Sequence, residues 1–280
     1  MKRNVMKLLI PALVLISLLF GGCTRGFNIN FGSPFNGIEK KDEVSTALDM
    51  RKAEKLQVLN ETGNIDVSKT SGSQIKITMK KEVRGQVDEE VKSVLDEIAI
   101  FAQFDGDTCV IKAVTQNGDD FWKWKQKSHP MLNVNVNFYV ELPEDLSDYD
   151  VKLVTGNIDI RDLAGSFTVN NTTGNLTLRD LTMTGTNKVR LITGNITVDA
   201  DILDADNLDV SNITGNVDLS LPAETNASFS VRLTTGNIGG SLLGQNSTTL
   251  GGADINKTLG SGKTDVSVEN VTGNISINKN

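Results

Sequence analysis

Apolar and polar residues alternate over short runs along most of this chain. Val151, Leu153 and Thr155 share one parity, as do Val189, Leu191 and Thr193, and Phe229, Val231, Leu233 and Thr235. Downstream the alternation restarts at Ile158 and Ile160, at Ile196 and Val198, and at Val217 and Leu219. Such period-two patterning marks a strand with one buried face. The phase slips between Thr155 and Ile158, and an uncompensated slip of one residue turns a strand inside out. A corner absorbs it, and the residues at the slip, Gly156 and Asn157, are of the types that tolerate positive φ. The parity places the threonine inside, where its hydroxyl needs a partner.

The corner recurs. Thr-Gly-Asn begins at Thr62, Thr155, Thr173, Thr193, Thr214, Thr235 and Thr272. From Gly156 through Gly174, Gly194 and Gly215 to Gly236 the steps are 18, 20, 21 and 21 residues. A fixed period near this length means stacked repeats, each unable to bury its own apolar face alone. The expected fold class is all-β, a single-chain parallel β-solenoid. Corner asparagines are expected to ladder from coil to coil. Two residues before each threonine stand Asn60, Leu153, Asn171, Leu191, Asn212, Leu233 and Asn270, so an amide alternates with leucine. The 37 residues from Gly236 to Gly273 fit two coils with a loop in their glycine-rich middle.

The N-terminal half is less regular. Val91, Val94, Leu95 and Ile98 fall at helical spacing behind Asp88, Glu89 and Glu90, predicting a short amphipathic helix over 87–98 that caps or flanks the solenoid. Strands follow at about 98–104 and 108–114, joined by Asp105-Gly106-Asp107 as a hairpin. Residues 116–131 read as a loop insertion, and 132–142 alternate again until Pro143.

Lys2, Arg3 and Lys7 precede an apolar run from Leu8 to Phe20 that is too short to span a bilayer comfortably and is shaped as a secretory signal. It ends in Gly21-Gly22-Cys23, which resembles a bacterial lipobox. The resemblance implies cleavage before Cys23, a diacylglyceryl thioether on its sulfur, and an exported protein lipid-anchored at the membrane or envelope surface. The chain divides into a signal peptide (1–22), a lipidated N-terminus and flexible tether (23–46), a less regular N-terminal part of the solenoid (47–145) and regular coils (146–280). The formal net charge of −7 argues against nucleic acid as a partner.

Val-x-Leu-x-Thr-Gly-Asn-Ile-x-Ile at Val151–Ile160, its later copies, and the Leu-Pro that ends the strand before them resemble the bacterial "putative adhesin" β-strand-repeat family, a domain of unknown function. The resemblance covers roughly Leu56 to Ile277. Asn follows Gly nearly everywhere, where many relatives carry Asp. It implies a right-handed β-solenoid at the cell envelope and supplies no catalytic residues.

Candidate chemistry is sparse. His129 is the only histidine and no Cys-x-x-Cys exists, so no histidine- or thiolate-based metal site and no cofactor is expected. His129 is expected in an exposed loop, and Cys109, in phase with Ile111 and Ala113, in the core. A carbohydrate-active enzyme needs two carboxylates about 5–9.5 Å apart. The outward candidates are Asp159, Arg161, Asp162, Arg179, Asp180, Asp199 and Asp218. Asp159 and Asp218 share a register position that Thr177 and Thr197 fill between them, so acids are not expected to stack on adjacent coils and the chain is read as no enzyme. The candidate ligand-binding loop is Phe121, Trp122 and Trp124 with their lysines, rings that stack on sugars or rest at a lipid interface, or else fold back over one end of the core. The expected function is a non-enzymatic envelope lipoprotein whose solenoid presents an interaction surface, adhesin-like, to an envelope protein or glycan. The alternative is a regulatory or stress-related partner of a membrane protein.

Overall fold

The computed structural model describes residues 37–50, 53–143, 145–244, 247–249 and 252–280. Cys23 and the signal peptide lie outside them. The first elements are β1 (Ile38–Asp49), β2 (Lys55–Leu59), β3 (Ile65–Lys69) and β4 (Gln74–Gly85), then α1 (Asp88–Glu97). A hairpin of β5 (Ala99–Asp105) and β6 (Thr108–Val114) follows, then α2 (Phe121–Ser128) and β7 (Asn133–Leu142). The repeating part comprises β8 (Asp148–Thr155), β9 (Ile158–Arg161), β10 (Ala164–Thr173), β11 (Leu176–Thr193), β12 (Ile196–Thr214) and β13 (Val217–Leu221). The chain closes with β14 (Ala227–Gly239), β15 (Ser247–Thr249), β16 (Ala253–Thr258), β17 (Thr264–Thr272) and β18 (Ile275–Lys279).

The fold is all-β and solenoid-like. Strands before the corner pair in parallel in the order β2, β8, β10, β11, β12, β17, β14. Strands after it pair as β3, β9, β11, β12, β13, β18, β14. The threonines at 62, 155, 173, 193, 214, 272 and 235 therefore stand next to one another in that spatial order. The last coil of the sequence is not last in space. The coil of β17 and β18 is inserted between the Thr214 and Thr235 coils, and the outer edge of β14 is covered by antiparallel β15 and β16. This corrects the expectation of two successive coils between Gly236 and Gly273. It also breaks the amide–leucine alternation, because Asn212 now faces Asn270.

At the corner the structure overturns one expectation and bears out another. The seven glycines have φ between 126° and 138°. A Cβ on Gly194 would sit inside the van der Waals shell of the Gly174 carbonyl, and the same holds from glycine to glycine along the column. The residue two before each threonine curls beneath this crowded backbone. Leu191 Cδ2 would lie 3.4 Å from a Cβ on Gly194, and Asn212 Nδ2 donates to Gly194 O at 3.0 Å. That side chain fills the corner, so the chain turns outward one residue early. Thr155, Thr173, Thr193, Thr214 and Thr272 are exposed and Thr62 and Thr235 half-buried, not inside as the parity suggested. The asparagine ladder is present. Asn175 N donates to Asn157 Oδ1 at 2.9 Å, Asn195 N to Asn175 Oδ1 at 3.0 Å and Asn216 N to Asn195 Oδ1 at 2.9 Å. It continues through Asn274 and Asn237, giving corner amides partners from outside their own coil.

The other N-terminal elements sit close to where patterning placed them. Helix α1 buries Val91, Val94 and Leu95 against β4 and β1. Strand β1 begins at Ile38, inside the stretch read as tether, and pairs antiparallel with β4. Its alternation is masked by charge: Glu39, Lys40, Lys41, Asp42 and Glu43 occupy most of its first half. Charge of this kind blunts the open edge of a sheet. Lys81 occupies an inward position of β4, 5% exposed. Its ammonium donates to Leu95 O at 2.9 Å and Ile98 O at 3.0 Å, and pairs with Asp42 at 3.3 Å.

Candidate interaction surface

Residues 116–131 are not an open loop. Asp120 caps a helix by accepting from Lys123 N at 3.0 Å, and α2 follows. Phe121 is fully buried, Trp122 is 8% exposed, and Trp124 packs half-buried on the same cluster. The Phe121 ring meets Trp122 edge-on at 5.2 Å and tilts toward Trp124 at 5.8 Å. His129, expected in an exposed loop, is half-buried: its ring lies 5.1 Å from Trp124 and Nδ1 is 2.8 Å from Glu90 Oε1. That contact ties α2 to α1. The rings thus cover one end of the core, and Phe121 and Trp122 present little surface to a ligand. Trp122 Nε1 is buried without an acceptor among the described residues.

The outward acids are tied up differently from the sequence reading. Asp66 and Asp159 are register partners on adjacent coils, because the Thr62 coil returns to stack directly on the Thr155 coil. Acids therefore do stack at this step, with arginine between them. Arg161 bonds Asp66 at 2.8 Å and Asp159 at 3.0 Å, while Arg179 bonds Asp159 at 2.7 Å. Asp159 reaches Asp218 through Thr177 and Thr197, three ladder steps. At about 4.8 Å each this is roughly 14 Å, beyond glycosidase spacing. Asp162, at the bend after β9, and Asp180, at a register shift within β11, have φ of 60° and 52°. Cys109 is fully buried, and burial pushes its thiol up to about 11, which suits a core residue. Among the described residues, no group of three or more His, Cys, Asp or Glu is placed to hold a metal ion.

Beside these threonines the strands expose a row that the sequence reading did not single out. The residues just before the threonines are, in spatial order, Glu61, Val154, Thr172, Ile192, Ile213, Val271 and Thr234. Val154, Ile192 and Ile213 are each 46% exposed and Val271 45%. Strand pairing sets them on neighbouring coils: Asn171 opposite Leu191 and Thr173 opposite Thr193 leave Thr172 beside Ile192. The exposed threonines form a parallel row beside them. On the other flank run Lys152, Asn170, Arg190 and Ser211, each opposite the next. Between the flank and the apolar row lies a shallow groove of about 410 Å³, lined below by Leu153, Asn171 and Leu191. Lys152 is paired with Asp150 at 2.8 Å and Arg190 with Asp209 at 3.7 Å. Helix α2 stands beside the N-terminal end of the row, where burial, and then the charge of Asp120, holds the Glu61 carboxyl above its ordinary range. The visible signal was the β-branched type of 154, 192, 213 and 271. The alternation itself carries it, because the parity that sets Leu153 and Leu191 inward sets Val154 and Ile192 outward.

The Toastrack DUF4097 family model matches residues 23–278, and the chain belongs to that family. A solved structure described as a putative cell adhesion protein from Clostridium sporogenes ATCC 15579 is 16% identical, covers 86% of this chain and 100% of its own, and superposes with a TM-score of 0.39. A putative adhesin from Bacteroides fragilis NCTC 9343 is 11% identical, with 85% and 97% covered and a TM-score of 0.26. A putative lipid binding protein from Parabacteroides distasonis ATCC 8503 is 8% identical, with the same coverage and TM-score. No curated protein matches the chain.

Proposed function

We propose that this is an exported envelope lipoprotein, anchored through Cys23, that works as a non-enzymatic scaffold and meets an envelope protein or glycan through the corner row. The observation that carries this reading is the continuity of the row. Val154, Ile192, Ile213 and Val271, with Thr172 among them, occupy five adjacent coils and leave almost half of each aliphatic side chain in water. Contiguous exposed apolar surface of this kind marks interaction sites more often than scattered exposed residues do. The arginine-bound acids and the 14 Å scale of the Asp159–Asp218 separation support a role without catalysis. Among the described residues no helix is long and apolar enough to cross a membrane, so the lipid is the proposed attachment.

The test is an Ile192→Lys/Ile213→Lys double variant of the full chain. Both side chains point outward, so the unfolding free energy should change by less than about 1 kcal/mol. Binding of the purified chain to envelope fractions should fall at least about tenfold, a loss of roughly 1.4 kcal/mol. Unchanged binding with an intact fold would remove the row as the interaction surface. A Cys23→Ser arm separates the anchor from the row: it should lose acyl label and leave the membrane fraction while the purified chain still binds.

A further inference from the structure

The C-terminal coil occupies a place that chain order does not assign to it. Strands β17 and β18 are held on one side by β12 and β13 and on the other by β14. Their covalent tie to the body is the loop from Leu259 to Lys263, which wraps around the start of β14. Ala227 N donates to Leu259 O at 3.1 Å, Leu259 N to Ala227 O at 2.8 Å, and Thr264 N to Asn226 O at 3.1 Å. The loop turns on Gly260 and Gly262, with φ of 62° and 73°.

The slot has a second fitting tenant within the chain. Thr214 to Thr235 is 21 residues, the same step as Thr193 to Thr214. Phe229, Val231 and Leu233 of β14 share the frame of Val266, Val268 and Asn270 of β17, as their pairing shows. Taken in chain order, Asn171, Leu191, Asn212, Leu233 and Asn270 alternate without a break. In space the alternation fails only where the inserted coil sets Asn270 against Asn212. When the coil leaves, β14 can close on β12, so release does not strand a bare sheet edge.

We infer that the coil Thr264–Lys279 is exchangeable and that its slot accepts the same segment from a second copy of the chain. Every contact that holds the coil is reproduced when it sits in the partner. Thr264 still meets the carbonyls of Ile202 and Ala205, Asn270 the carbonyl of Gly215, and Asn274 the side chain of Asn216. Exchange of an identical element gives a closed two-fold dimer without any new interface, and only the Leu259–Lys263 loop changes path. The glycines of that loop permit the change.

The experiment pairs two outward register partners, Ser211 of β12 and Glu269 of β17. A ¹⁵N-labelled Ser211→Cys full chain is incubated with an unlabelled Glu269→Cys full chain, oxidised and peptide-mapped. The expected result is a mixed-isotope disulfide joining 211 to 269, with a twofold rise in mass by light scattering. The inference is overturned if the Ser211→Cys/Glu269→Cys double variant closes only within one chain and the mixed pair forms no such bond. Light scattering of the unsubstituted chain over rising concentration needs no variant to fold: a dimer fraction that grows supports exchange, and a monomer mass throughout overturns it.

Discussion

Gly194→Val should cost more than about 4 kcal/mol and leave the chain largely unfolded, given a total stability of about 5–15 kcal/mol. Two effects act together. At φ of 135° a β-branched residue is strained by about 1–3 kcal/mol. The added Cβ also collides with the Gly174 carbonyl, which belongs to backbone and cannot swing aside. Relief requires the Thr173 and Thr193 coils to part, breaking Gly174 N–Thr193 O and Asn195 N–Asn175 Oδ1. Gly194→Ala carries the same collision and should be nearly as damaging. Gly118, also at positive φ but with open space around its Cβ position, is the control, and Gly118→Ala should cost only its local strain. Urea unfolding followed by far-ultraviolet dichroism reads all three. A Gly194→Val chain within 1 kcal/mol of the parent would refute the close-approach account.

The second large effect is expected at Lys81. Lys81→Met keeps the aliphatic stem but removes the donor that holds the Leu95 and Ile98 carbonyls at the end of α1. Those carbonyls belong to the negative end of the helix, and they would lose a buried charged partner. Removing one partner of such a buried contact costs about 2–4 kcal/mol, the lower part of the range because Asp42 is half exposed. Amide exchange should show Val91, Val94 and Leu95 losing protection before the coils do. Equal protection of α1 in parent and variant would mean that apolar packing alone docks the helix.

These two sites differ in how openly the sequence announced them. Thr-Gly-Asn spacing made the coil legible, since a corner that repeats every 18 to 21 residues leaves few other architectures. The direction of Thr155 was not legible. Parity counts residues, whereas the corner is decided by Leu153 and Asn171 filling the space beneath the glycine column. Lys81 stood in plain view at an inward position between Met79 and Val83, but its partners lie on a helix 14 and 17 residues further along. Stacking order was hidden for the same reason. The frames of β14 and β17 are nearly interchangeable, so local pattern cannot rank the two neighbours of β12. The outward direction of 154, 192, 213 and 271 followed from that same parity, but their adjacency on neighbouring coils, Ile213 beside Val271 above all, needed the stacking order.

The Trp122 and Trp124 segment was legible only as a pair of alternatives. The sequence left two readings open, a ligand loop or rings folded back over the core, and the structure takes the second: Asp120 at the start and His129 at the end turn the segment into a capped helix with Phe121 and Trp122 buried. With that segment absorbed into the fold, the proposed interaction surface rests on the stack of corners.

Disulfide trapping at the corners tests that stack most directly. Adjacent parallel strands lie about 4.8 Å apart, within reach of a disulfide, whereas two steps, about 9.6 Å, are not. Thr214 and Thr272 are adjacent, and Thr235 lies beyond Thr272. A Thr214→Cys/Thr272→Cys chain should oxidise readily under mild conditions, and a Thr214→Cys/Thr235→Cys chain should not. The reverse outcome, closure of 214 with 235 and none with 272, would contradict the stacking order on which the account is built.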